Sequence, residues 1–403
     1  MIRRDFISSI AVTAFTAKFC GGCSPQQSAN PAATPEKRAQ YLQTMLKRLC
    51  TDIGPHPTGS PEFKKAAEII YETLKEAAPN TELDEYRFEK WEPVGSAECE
   101  IGGQKIETVL HHGCVGTPPE GWSGILIKSE SGGFPWRLVD ESTGNELAHI
   151  RVAPFGPAIP NFGGFNSIQK FTVDTDKESL LDDAVENKVT CRFKAQAQFV
   201  ADSRGYNIVG SIPGKTSDEI MFLAHADTVY TSPGANDNTA SMIVMLMLAH
   251  AFSGTTQKYT LTFVATDGEE YGLLGAQHYA DRRKEEGTLG NIKFITNFDS
   301  LTYGPNLWIT SEDNELNKML VDINNDLGIN GTPRVTETTG FVLDNEPFRE
   351  SGARAVNMNS RGYDEKTLPL YHRPEDTAET VHVDCVENSF LVFREYIERI
   401  MVL

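Results

Sequence analysis

A chain of 403 residues, 39% of them hydrophobic and 23% charged, has room for one large α/β domain with an insertion or for two domains. Its net charge of −19 excludes a nucleic-acid backbone as partner. No long uncharged apolar run follows the N-terminal segment, which excludes a transmembrane helix from the body of the chain.

Taken in order, the chain starts with a short basic stretch, Met1 to Arg4, then a modest apolar one, Phe6 to Ala17, then Cys20-Gly-Gly-Cys23. Arg3-Arg4-Asp5-Phe6-Ile7 resembles a twin-arginine export signal, and Gly-Gly-Cys23 resembles the cleavage site of a bacterial lipoprotein signal. Residues 1–23 are read on that basis as an export and lipoprotein-like signal, implying a periplasmic or membrane-anchored protein with Cys23 as the lipid attachment point. Residues 24–38 are a polar linker. In an oxidising compartment Cys50, Cys99, Cys114, Cys191 and Cys385 are open to oxidation, with Cys99 and Cys114 a candidate bridge, and no Cys-x-x-Cys zinc spacing occurs among them.

Arg38 to Cys50 reads as helix. Ser60 is an N-cap with Pro61 at the first helical position, and Phe63, Ala66, Ala67, Ile70 and Leu74 fall on one face of the helix that follows. Between about Trp91 and Val200 glycine and proline are frequent and strand candidates are short, with one helical piece at 177–185. This marks 93–199 as an inserted, mostly β module. His111 and His112 lie here without an acidic partner at useful spacing and are read as structural, as is His56 in its loop.

Residues 39–92 and 200–403 form the expected main domain. Strand candidates at 207–212, 220–225, 259–266, 292–298, 306–310 and 353–358 alternate with helical segments at 237–252, 274–286 and 316–327, and an amphipathic helix closes the chain at 386–400. That alternation gives a three-layer α/β fold, a mixed and largely parallel sheet with helices on both faces. Such sheets bind ligands at the carboxyl ends of their strands.

Those strand ends carry the chemistry. One stops at His225-Ala-Asp227, the next at Asp267-Gly-Glu269-Glu270, the third at Asp299-Ser300. Between the first two, Asp237 is expected at the start of an apolar helix whose dipole favours a negative group, and Tyr371-His372 lies in a loop before the last helix. Two histidines, two aspartates and a glutamate suit a pair of zinc-like ions about 3.5 to 4 Å apart, with cobalt and manganese also compatible. Adjacent glutamates in a turn diverge, so of Glu269 and Glu270 one can face a metal while the other faces the substrate. Asp227 is expected to hydrogen-bond the His225 imidazole and fix its tautomer.

The stretches HAD at 225–227, GANDNTAS at 234–241, DGEEYGLLGA at 267–276, NFDS at 297–300 and YHRPEDT at 371–377 together resemble metallopeptidase family 28, the di-zinc aminopeptidases and their glutamate-carboxypeptidase relatives. The resemblance runs from Asn207 to the C-terminus, and DIGPHPTGSPE is similar to that family's N-terminal segment. It implies a zinc exopeptidase fold acting on peptide substrates. His225 and Asp299 would hold one metal, Glu270 and His372 the other, and Asp237 would bridge them. Glu269 would be the general base, and Tyr371 would stabilise the tetrahedral intermediate. The stretch at 171–199 resembles the last part of a protease-associated domain, while the half preceding it departs from that pattern. Aminopeptidase is the first reading. A carboxypeptidase or dipeptidase needs a cation for the substrate carboxylate, for which Arg361 is the candidate, and a glutaminyl cyclase shares the order of ligands.

Overall fold

Period-two burial on both faces shapes the centre of the sheet. In the computed structural model, which describes residues 30–130, 132–304, 307–329, 333–336, 343–360 and 370–403, the strand Glu219–His225 is buried along its whole length. It lies between Thr260–Thr266 and Ile292–Phe298 and runs parallel to both. Ile220, Phe222 and Ala224 face one core and Met221 and Leu223 the other, as alternation along a doubly covered strand requires. The larger core is closed by the helices Pro61–Ala77, Ala240–Phe252 and Val383–Ile400. Ala240–Phe252 has no polar face because it is packed on nearly every side. Phe298, at a strand end, rests on Phe393 with ring centroids 4.3 Å apart. Leu274–Glu285 covers the smaller core through Ala276, Tyr279 and Ala280.

The sheet is mixed, as expected. Arg354–Asn359 extends it in parallel from Ile292–Phe298, whereas Trp308–Thr310 runs antiparallel to Arg354–Asn359. On the other side Thr190–Ile212 runs antiparallel to Thr260–Thr266. Ser60 caps its helix as the sequence predicts, its hydroxyl accepting the Phe63 amide at 3.0 Å.

Several elements differ from the sequence reading. Asn80–Ile101 is one long strand paired antiparallel with Thr190–Ile212, and the candidates at 189–200 and 207–212 are parts of that second strand. Both strands run unbroken through the positions where the sequence marks the ends of the insert. We keep 93–199 as a proposed module, with this ribbon as the element it shares with the rest of the sheet. It is β-rich and has its own core of Trp136, Leu138, Ile150, Phe171 and Phe193. Cys99 and Cys114 are both buried free thiols, so the candidate bridge is not formed. The signal, Cys23 and Arg361 lie outside the described residues.

Candidate metal centre

Three strand ends and two loops deliver polar side chains to one place. His225 ends its strand, and its Nδ1–H donates to the Asp227 main-chain oxygen at 3.1 Å. That bond turns Nε2 into the cleft, where it lies 3.3 Å from Asp237 Oδ1. His372 arrives from the loop before the last helix in a left-handed backbone conformation, φ 60°. Its Nδ1–H donates to the Pro160 main-chain oxygen at 2.7 Å, and its Nε2 lies 3.0 Å from Glu270 Oε1 and 3.7 Å from Asp237 Oδ2. Both imidazoles therefore turn Nε2 toward the same carboxylate. Asp237 presents one oxygen to each.

Asp237 sits ahead of the helix rather than on it. The helix begins at Ala240, and Asp237 has the non-helical angles φ −119° and ψ 85°. Hydrogen bonds hold its turn instead of a helix dipole. The Asp376 carboxylate accepts the main-chain N–H groups of Asn236, at 2.9 Å, and Asp237, at 3.1 Å, together with the Asn236 side-chain amide at 2.8 Å. Asn238 bridges to the third strand end by donating to the Phe298 carbonyl and accepting from the Ser300 amide. Asp299 lies there, 6% exposed, with the Ser300 hydroxyl on its Oδ1 at 3.0 Å.

The turn after Thr260–Thr266 is equally fixed. Gly268 has φ 73°, a conformation that costs glycine little. At Gly275 a Cβ would fall 2.2 Å from Asn207 Oδ1 and 2.3 Å from the Asp267 carbonyl oxygen, so any larger residue would displace the turn. The Asp227 carboxylate departs from its expected role. It stands 3.8 Å from the imidazole and instead accepts the amides of Glu269, at 3.1 Å, and Glu270, at 3.3 Å. The two glutamates diverge: Glu270 is 7% exposed and turned to His372, while Glu269 keeps a partly open face.

The electrostatics of this cluster are dominated by crowded acids. Desolvation in the cleft raises Glu269 well above the ordinary carboxylate range, opposed by His225 and reinforced by Glu270, Asp344 and Asp299. Burial likewise raises Asp227, against the influence of His225. Burial alone would lower His225 and His372, but Asp237 in the first case and Glu270 in the second raise them. Buried charges of one sign are retained where they are paired or hold a metal. Two imidazoles whose Nε2 atoms face a shared carboxylate, inside a ring of acids, are a donor set that fits divalent zinc-like ions. Among the described residues His225, Asp237 and Glu270 bring one ligand atom each within 4.8 Å of one another. His372 adjoins them through Glu270.

Sequence reasoning passed over Asp344, Asp376 and the contribution of the insert. Asp344 is 1% exposed, accepts the Thr266 hydroxyl at 2.5 Å and is raised to about 6 by burial. Asp376 stands inside the YHRPEDT motif, the one signal that could have found it, and burial raises it to about 7 against its hydrogen bonds. The insert brings the Pro160 carbonyl to His372, and Asn161, whose amide donates to the Tyr371 hydroxyl at 3.4 Å. His112, read as structural, lies against the Glu270 main chain at 3.4 Å and is held near 4, and thus neutral, by burial.

Residues 207–397 match the model of peptidase family M28. The chain is 24% identical over 406 residues to aminopeptidase YwaD of Bacillus subtilis (strain 168), a match that covers 91% of this chain and 88% of the relative. It is 20% identical over 335 residues to the probable lipoprotein aminopeptidase LpqL of Mycobacterium tuberculosis, covering 72% and 66% of the two chains. In fold it is similar to the solved structure of BSAP, a zinc aminopeptidase from Bacillus subtilis, with a TM-score of 0.69 at 19% identity over 90% of this chain and 95% of that one.

Proposed function

The chain belongs to peptidase family M28, and from that premise we propose that it is a zinc-dependent aminopeptidase that hydrolyses the N-terminal bond of peptides. The observation that carries the proposal is the convergence of His225 and His372 on the two oxygens of Asp237, beside a partly open Glu269. In this reading His225 and Asp299 would hold one ion and Glu270 and His372 the other, with Asp237 serving both. Zinc, with cobalt and manganese also suited to these donors, supplies Lewis acidity when bound and acidifies water toward a pKa of about 7.

The chain's own groups supply the rest. Glu269 accepts the proton of the attacking water on its carboxylate and delivers it to the peptide nitrogen as the amine leaves. Asp227 keeps Glu269 aimed by holding the amide of its turn. Tyr371, stacked on His372 at a centroid distance of 3.6 Å, donates its hydroxyl hydrogen toward the developing oxyanion. Hydrolysis of aminoacyl anilides with free and acetylated N-termini by the zinc-loaded protein tests the assignment. Cleavage confined to free-amine substrates is expected. Cleavage of blocked peptides that requires a free C-terminus would replace aminopeptidase by carboxypeptidase, and release of pyroglutamyl peptides from N-terminal glutamine would replace hydrolysis by cyclisation.

The name of the relative LpqL supports reading residues 1–23 as an export signal ending in a lipid-bearing Cys23. Replacing Cys23→Ser is expected to move the protein from the membrane fraction to the soluble one, because a single acyl chain already contributes weak membrane affinity and lipoproteins carry more than one. Unchanged partitioning would remove the anchor from the account.

A further inference from the structure

At the edge of the site stands a cation that no acid among the described residues answers. Arg151, on the strand Glu146–Val152 of the 93–199 segment, donates from Nε to the Thr172 hydroxyl at 3.2 Å and from one terminal nitrogen to Asn161 Oδ1 at 2.5 Å. Both acceptors are neutral. Arg38, Arg283 and Arg354 each rest on a carboxylate, of Glu387, Glu219 and Asp313 respectively. In a chain with a net charge of −19, acids are not scarce. Among the described residues none pairs with Arg151, and burial pulls its pKa below the ordinary arginine range. A half-buried guanidinium held at such a cost needs an anion that is not part of the fold.

Its position says which anion. Asn161, which takes the Arg151 hydrogen bond on its oxygen, donates from its nitrogen to the Tyr371 hydroxyl. The guanidinium is thus two hydrogen bonds away from the hydroxyl assigned to the scissile carbonyl. Lys170 stands beside it. Its ammonium lies 5.8 Å from the centre of the Phe134 ring and the guanidinium 5.3 Å from the same ring, and the ammonium donates to the Gly163 carbonyl on the strand Phe162–Ser167 that follows Asn161. No ion pair is made by Lys170 among the described residues. One residue of extended chain spans about 3.5 Å, so a carboxylate one or two residues beyond the cleaved bond comes within reach of these groups.

We propose that Arg151, with Lys170 beside it, is an anion subsite that takes the free C-terminal carboxylate of a di- or tripeptide whose N-terminal bond lies at the metal centre. The subsite rests on the exopeptidase reading and adds to it a preference for short peptides with an unblocked C-terminus. Arg is suited to this because its planar fork meets a carboxylate with two parallel hydrogen bonds. It also gives the 93–199 segment a substrate-selecting part in addition to its contact with His372.

The test compares kcat/KM for leucyl-leucine and leucyl-leucinamide on the zinc-loaded full chain. Wild-type protein is expected to prefer the free acid by about tenfold or more, the size of a charge-assisted hydrogen bond. In Arg151→Met that preference collapses toward unity through KM, in Lys170→Met it shrinks, and in Arg151→Lys it is partly restored. Because Arg151 also steadies Asn161, the acid-to-amide ratio is the readout, a quantity that a general loss of loop order leaves alone. Lys170→Met keeps the test open if the Arg151 variants lose zinc. A wild-type enzyme that hydrolyses both equally, or a ratio unaltered in Arg151→Met and Lys170→Met, overturns the subsite while the exopeptidase stands. Hydrolysis of neither substrate overturns both.

Discussion

Glu269→Gln is expected to lower kcat by about 10² to 10⁴, the contribution of a positioned general base, while zinc content and fold stay at wild-type levels. The substitution keeps the side chain's shape and removes only its capacity to take a proton. The turn survives because it is held through main-chain groups. The amides of Glu269 and Glu270 donate to Asp227, and Gly275 closes the turn by donating to the Asp267 carbonyl. Glu270, the neighbour turned toward His372, is untouched. Steady-state kinetics with zinc analysis on the same sample checks both halves. Retained turnover would take the proton-transfer role from Glu269, and loss of zinc would make it a ligand.

Asp376→Ala carries the largest expected loss of stability. It leaves the main-chain N–H of Asn236, that of Asp237 and one of the two N–H groups of the Asn236 side-chain amide, the other being held by Thr380, without their acceptor, in a place closed to water. An unsatisfied buried donor costs about 1–3 kcal/mol, so the loss is expected at about 3 kcal/mol or more in urea unfolding. The same change frees the turn that holds Asp237 between the two imidazoles, so zinc affinity falls with it. Asp376→Asn is the milder variant, since it keeps an acceptor oxygen but points an amide donor at other donors. Full stability and full zinc content in Asp376→Ala would show that the turn is held by other means.

The sheet centre is legible in the sequence for a physical reason. Strands such as IMFLAH and YTLTFVAT are covered on both faces, where apolar and β-branched residues dominate, so the charged residues and histidine that end them stand out. The helix starts at Ser60 and near Leu274 are legible from capping and turn residues. Asn80–Ile101 is not, because one half of a ribbon with much of its surface in solvent carries charged and apolar residues without a period. Direction is not legible either: nothing in 207–212 or 306–310 says that these strands run antiparallel to their neighbours. In the site, the residue types that bind metals are visible as types. The supports are not, because the Pro160 and Asp227 carbonyls that orient the two imidazoles are main-chain groups, which every residue has. Asp344 belongs to no periodic element, and its burial beside Thr266 follows from the tertiary fold alone.

Central to the proposed function is a pair of ions that His225, Asp237, Glu270, Asp299 and His372 would hold. Titrating zinc into chelator-treated protein while following both bound metal and anilide hydrolysis measures this directly. Two equivalents bound per chain, with activity absent before zinc is added and maximal once both are in place, is the predicted result. Saturation at one equivalent, or hydrolysis indifferent to the metal, would contradict it.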